Sequence, residues 1–242
     1  MIGTPAPEGL GRKACHYPVG GSGRSNPPYP RSRAILCAMA NPLARAQYML
    51  SAHTPRQLPP DGGFEVAFAG RSNAGKSSAL NALCQQNALA RVSKTPGRTQ
   101  QLVFFALPQH EGRYLVDLPG YGYAKVPLDL RAHWQAFLDK YFQTRLALRG
   151  LVVVMDIRHP LKDYDRHMLG YAVGRELPAH VLLTKADKLS RGATASALQA
   201  VKRDLATSYG DTVSVQAFSG ESKLGVDQAR GVICSWLEIA PD

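Results

Sequence analysis

The chain has 242 residues, 45% of them apolar, enough for one well-packed domain of ordinary size with some sequence left over. No apolar run approaches the roughly 18 residues of a membrane span, and the N-terminal stretch lacks the apolar segment of a secretory signal, so a soluble, cytoplasmic protein is predicted. A formal charge of +11, from 29 Lys and Arg against 18 Asp and Glu, favours a polyanionic partner such as nucleic acid over an acidic small molecule.

In chain order, residues 1–38 come first, dense in Gly, Pro, Ser and Arg, and they are predicted to be a disordered extension because they cannot bury enough surface to offset the entropy of ordering. Five basic residues against the single acid Glu8 give this extension +4, which leaves +7 on residues 39–242. Residues 39–63 read as a short helix, with Leu43, Ala46, Tyr48, Met49 and Leu50 on one face, and a Pro-rich linker. From residue 64 strand-like and helix-like segments alternate. FEVAFA, QLVFFAL, RYLVDL, LVVVMDI, HVLLTK and TVSVQAF are predicted strands, several of them apolar on both faces. Between and after them lie five helical stretches, the second carrying Leu130, Trp134, Phe137, Leu138 and Tyr141 as a core-facing stripe. Such alternation predicts an α/β domain over 64–242, built on a doubly wound, mostly parallel six-stranded sheet. The cysteines Cys15, Cys37, Cys84 and Cys234 show neither CxxC nor Cys/His spacing, so no zinc site or disulfide framework is suggested.

Three motifs carry chemistry. GRSNAGKS, residues 70–77, places Gly70, Gly75, Lys76 and Ser77 at the fixed positions of a phosphate loop, directly after an apolar strand and at the start of a helix. There the backbone amides of Arg71, Ser72, Asn73 and Ala74 can converge on phosphates, Lys76 can meet the β and γ oxygens, and Ser77 can hold Mg²⁺. DLPG, Asp117, Leu118, Pro119 and Gly120, ends the strand RYLVDL, where Asp117 can hold Mg²⁺ through water and the Gly120 amide can sense the γ-phosphate. TKAD, Thr184, Lys185, Ala186 and Asp187, ends the strand HVLLTK. Its aspartate can accept from guanine N1–H and the exocyclic amino group, a donor pair adenine lacks, while the Lys185 stem lies along the ring.

With these motifs in register, and with the further stretches KTPGRTQQLVFF, YLVDLPGYGYAKV, DIRHPLKDYDRHML, LLTKADKL and FSGESKLGVD, the chain resembles the EngB family of bacterial ribosome-assembly GTPases within the TrmE-Era group. The resemblance runs from about Met39 to the C-terminus. It implies a P-loop GTPase fold of the Ras-like type, a switch I formed by Gly97, Arg98, Thr99, Gln100 and Gln101, with Thr99 closing on Mg²⁺ and the γ-phosphate, and a base-side loop of Phe218, Ser219 and Gly220. It also implies GTP/GDP binding, binding to the large ribosomal subunit through rRNA and ribosomal proteins, a need in cell division and septation, and a monomer. Tyr121 stands where Ras-like enzymes place a water-orienting glutamine, so slow intrinsic hydrolysis is expected. Asn73 matches the asparagine that binds K⁺ between phosphates in TrmE-like relatives, which adds it to Lys76 and Thr99 as a catalytic candidate; stabilising the loop turn is its alternative role. The competing reading of the whole chain is a nucleotide-gated scaffold for cell-division proteins with incidental GTP turnover.

Overall fold

The computed structural model of the chain describes residues 41–90, 101–120 and 128–240, with the side chains of 128–133 excepted. The predicted disordered extension 1–38 therefore lies outside the described residues, as do Gly97, Arg98, Thr99, Gln100, Tyr121 and the Leu130 side chain.

Seven strands form one sheet: β1 (Gln47–Ala52), β2 (Phe64–Gly70), β3 (Leu102–Ala106), β4 (Arg113–Asp117), β5 (Leu148–Asp156), β6 (Ala179–Thr184) and β7 (Val213–Ala217), in the order β1-β3-β4-β2-β5-β6-β7. β3 runs antiparallel to both its neighbours, and all other pairings are parallel. The helices are α1 (Lys76–Leu83), α2 (Leu128–Thr144), α3 (Asp163–Gly174), α4 (Arg191–Tyr209) and α5 (Val226–Trp236).

Period-2 alternation divides the buried strand residues between two cores, as side chains on successive strand positions must point to opposite faces. On β2 and β5, Ala67, Ala69, Leu151, Val153 and Met155 join the α2–α4 core with Trp134, Phe137, Leu138 and Tyr141. Val66, Phe68, Val152 and Val154 join the opposite core with Leu80 and Leu83 of α1 and Ala229 and Ile233 of α5. The central strands are thus covered on both sides, which explains their near-continuous apolar sequence. Gly150 is required by the packing on one of those faces, since a Cβ there would lie 2.1 Å from the Trp236 ring.

The sheet has seven strands rather than six because the segment read as a helix at 39–52 contains a strand. Leu43 and Ala46 are buried, but in a turn in which the Asn41 carboxamide accepts from Leu43 N–H at 3.0 Å, and β1 then pairs along the outer edge of β3. A bulge between Tyr48 and Leu50 breaks the strand alternation, so the apolar residues mimic a helical stripe. The ladder hydrogen bonds offered by β3 outweigh that local pattern. The second helix ends at Thr144. After Thr144 the Asp61 carboxylate accepts from Leu146 N–H at 3.0 Å and Ala147 N–H at 2.7 Å, turning the chain into β5.

Candidate nucleotide-binding site

The site is assembled at the C-terminal ends of the parallel strands, where open α/β sheets bind ligands. β2 ends at Gly70, whose Cα passes so close to β5 that a Cβ would meet the Val154 carbonyl oxygen at 2.7 Å. The loop then turns, with Ala74 N–H bonded to Arg71 O at 3.0 Å, and enters α1 through Gly75 at φ +95°, a left-handed conformation that glycine adopts without Cβ strain. Asn73 is also left-handed, at φ 61°. Lys76, the first residue of α1, is ion-paired with the carboxylate of Asp117 at the end of β4. Gly120 follows close beside the loop, where a Cβ would sit 3.4 Å from Ser72 N. Leu118 N–H is bonded to Phe68 O at 3.0 Å, holding the DLPG segment against β2.

From the other side, the end of β6 is tied directly to this loop. The Thr184 hydroxyl contacts Ala74 O at 2.5 Å and Met155 O at 2.9 Å, and the Lys185 ammonium donates to Asn73 O at 2.7 Å while pairing with Asp156 at 2.9 Å. Lys185 adopts φ 60°, which turns the chain into the Ala186–Lys188 segment. Asp187 accepts from the Ser219 hydroxyl at 2.6 Å and pairs with Lys188 at 2.9 Å; the hydroxyl first, then the ammonium, hold its carboxyl below the usual carboxylate range. Ser219 in turn accepts from Ser222 N–H at 3.1 Å, and Phe218 is locked between Leu183 O at 2.8 Å and Ala186 N–H at 3.2 Å. Gly220 packs on α1, with the Ser78 carbonyl oxygen 3.1 Å from where a Cβ would be.

All the predicted site residues within the described part of the chain except Gln101 therefore meet in one place. Gln101 directly precedes β3, whose Val103 lies opposite Asp117 in the sheet. One participant escaped the motif reading. Asp156, at the end of β5, receives Arg158 at 2.7 Å and Lys185 at 2.9 Å, and the Arg158 bond is the main reason its carboxyl is well below the usual range. The sequence signal was the DIR triplet closing the strand LVVVMDI.

A strand-to-helix phosphate loop, an acidic strand end facing its lysine, and the Asp187-bearing end of β6 tethered to the same loop mark a P-loop GTPase domain. A family model described as 50S ribosome-binding GTPase matches residues 65–185, half of the chain, and a protein of Stenotrophomonas maltophilia strain K279a named probable GTP-binding protein EngB is 74% identical over 195 residues, 81% of this chain and 96% of that protein. The chain belongs to the EngB family of GTP-binding proteins. A relative of the same name from Xanthomonas axonopodis pv. citri is 71% identical over 195 residues, 81% of this chain and 90% of its own. A crystal structure of a probable GTP-binding protein engB shares the fold with a TM-score of 0.56, at 18% identity over 73% of this chain and 100% of that one.

Proposed function

We propose that this GTP-binding chain is a cytoplasmic nucleotide switch that hydrolyses GTP slowly, engages the assembling large ribosomal subunit in its GTP state, and through that step supports normal cell division. The observation that carries the nucleotide half is the double tether from β6 to the phosphate loop, Thr184 to Ala74 O and Lys185 to Asn73 O. It fixes the distance between the element that would hold phosphate and the one that would read the base. In this reading residues 70–77 cradle the phosphates, Lys76 moves from Asp117 to the β and γ oxygens, and Asp187, aligned by Ser219, accepts from the guanine edge.

Mg²⁺ fits the donors present. The Ser77 hydroxyl and the Asp117 carboxylate, the latter through water, are hard oxygens, with Thr99 as the third ligand the resemblance implies. Among the described residues no group of three or more His, Cys, Asp or Glu could cage an ion alone. Mg²⁺ held by one or two side chains plus substrate phosphates needs no such cage. When bound, the ion supplies charge neutralisation on the phosphate oxygens. The ribosomal half is supported by the description of the matching family and by the +7 charge of residues 39–242. Among the described residues no helix is long and apolar enough to cross a membrane.

The test of the base assignment is Asp187→Asn. Its carboxamide can donate to the C2 oxygen of xanthine, so GTP affinity is expected to fall and xanthosine triphosphate to be admitted. GTP affinity unchanged by the substitution would remove Asp187 from the base slot.

A further inference from the structure

Among the described residues His180, on β6, is the one histidine that is buried, and the nucleotide reading does not use it. Its ring faces two polar residues of β7. Nδ1 lies 2.7 Å from the Ser214 hydroxyl and Nε2 lies 2.9 Å from Gln216 Oε1. Gln216 is itself only 3% exposed; its amide nitrogen donates to Gly225 O at 2.7 Å, with Ala217 O farther off at 3.4 Å. An aliphatic residue at 216 would fill this strand position beside Leu182 with no buried polar atom to satisfy, so a carboxamide here is a costlier group than packing requires.

The polarity of the network follows from its last member. A carbonyl only accepts, so the NH₂ end of Gln216 faces Gly225 O and Oε1 faces the imidazole. Oε1 then receives the proton of His180 Nε2, which leaves Nδ1 of the neutral ring to accept from the Ser214 hydroxyl, whose other partner, Ala179 O, is 3.4 Å away. Burial is the main reason that the His180 pKa lies below the ordinary imidazole value, against the opposing effect of the Gln216 bond. The imidazole thus fixes which way the Gln216 amide points.

The far end of this tether is the segment that follows β7. Gly225 leads into α5 at φ +73°, and a Cβ on it would lie 2.4 Å from Gln216 Nε2, so glycine is what lets the amide reach the backbone. Gly225 O already receives Ala229 N–H at 3.0 Å, and the Gln216 bond is therefore an addition rather than the satisfaction of an orphan acceptor. The neighbouring Leu224 O accepts from Ser219 N–H at 3.0 Å, and the Ser219 hydroxyl is the group that donates to Asp187. Arg230 ties the body of α5 to α1 through Leu83 O at 2.8 Å and Ala82 O at 3.1 Å, whereas Gln216 ties the loop itself to the sheet. We propose that Gln216, oriented by His180, is a positioning residue for guanine recognition, its amide holding residues 218–225, and with them Ser219 and the Asp187 carboxylate, at a fixed place on the sheet. This rests on Asp187 being the reader of the base.

The experiment measures the affinity of the full chain for GDP and for inosine diphosphate with Mg²⁺, in wild type, Gln216→Met and the double variant Gln216→Met with His180→Phe, together with nucleotide-free melting and nitrogen NMR of the histidine rings at neutral pH. Hypoxanthine lacks the exocyclic amino group, so GDP binding depends more on how the Asp187 carboxylate is turned. Gln216→Met keeps the length of the side chain and removes both hydrogen-bonding ends. Adding His180→Phe removes the ring N–H left without an acceptor, which should return melting towards the wild-type temperature. Both variants are expected to bind GDP roughly three- to tenfold more weakly, as for one net hydrogen bond, and to lose less for inosine diphosphate, so that the preference for GDP shrinks. In wild type the NMR spectrum should show His180 neutral, with its proton on Nε2. Equal weakening for the two nucleotides, an unchanged GDP affinity in the double variant, or a proton on Nδ1 with none on Nε2 would each overturn the proposal and leave the network a feature of sheet packing. A wild-type chain that binds no guanine nucleotide, or does not prefer GDP to inosine diphosphate, would instead sink the base reading and the proposal with it.

Discussion

Asn73 has two roles assigned to one position, and they can be separated. Its φ of 61° is a conformation asparagine tolerates better than most residues, and its carbonyl receives Lys185 at 2.7 Å, so the backbone alone gives a reason for Asn. The proposed second role is its carboxamide on K⁺ beside the phosphates. Asn73→Gly keeps the backbone relaxed and removes only the carboxamide, whereas Asn73→Ala adds strain of about 1 kcal/mol from the left-handed backbone. Basal GTP hydrolysis is expected to be slow and to rise when K⁺ replaces Na⁺, and Asn73→Gly should abolish the difference while still binding GDP. Equal rates of the wild type in the two salts would retire the potassium role. At this scale the assembly of the candidate site was largely legible, because the phosphate loop and TKAD are contiguous motifs, and the structure brings them into contact. Asp156 was not, since its role comes from Lys185, which only the parallel pairing of β5 and β6 brings beside it.

Among the elements, the C-terminal end of α2 is held by a buried polar cluster. Glu65 at the start of β2 is wholly buried; it receives Tyr141 at 2.8 Å and Arg145 Nε at 2.9 Å, with a second contact from the same guanidinium. Arg145 also donates to Pro59 O at 2.8 Å, tying the linker before β2 to the helix. Burial and the adjacent Glu65 push the Tyr141 hydroxyl well above the ordinary phenol range, so it remains a donor. Removing one partner leaves the other charge buried and unpaired. Arg145→Ala should therefore lower the unfolding free energy by about 3–5 kcal/mol, and an apolar replacement of both Arg145 and Glu65 should recover much of that loss. Urea unfolding of the three proteins decides it, and a loss under about 1 kcal/mol for Arg145→Ala would show that the cluster is solvated in solution. The long central elements were legible from periodicity, with Trp134, Phe137, Leu138 and Tyr141 buried as the helical stripe required. β1 was not, because an edge strand interrupted by a bulge has no period of its own and takes its conformation from β3.

For the whole molecule, composition and alternation reached the fold class but not the strand order. That order depends on β2 lying between β4 and β5 and on β3 running antiparallel to its neighbours, relations that no local pattern encodes. The charge of +7 on residues 39–242 likewise pointed to a polyanion without saying where it binds. The proposed switch joins these facts: nucleotide state would set the conformation of the segments after Asp117, and that conformation would set affinity for the large subunit. A scaffold for cell-division proteins would bind ribosomal subunits neither strongly nor in a nucleotide-dependent way. Co-sedimentation with purified large ribosomal subunits at graded salt, in the presence of GTP, GDP or a non-hydrolysable GTP analogue, tests this most directly. For the proposed switch the analogue gives the strongest association and GDP the weakest, and association declines as salt rises because phosphate contacts release counterions. Association indifferent to both nucleotide and salt would contradict it.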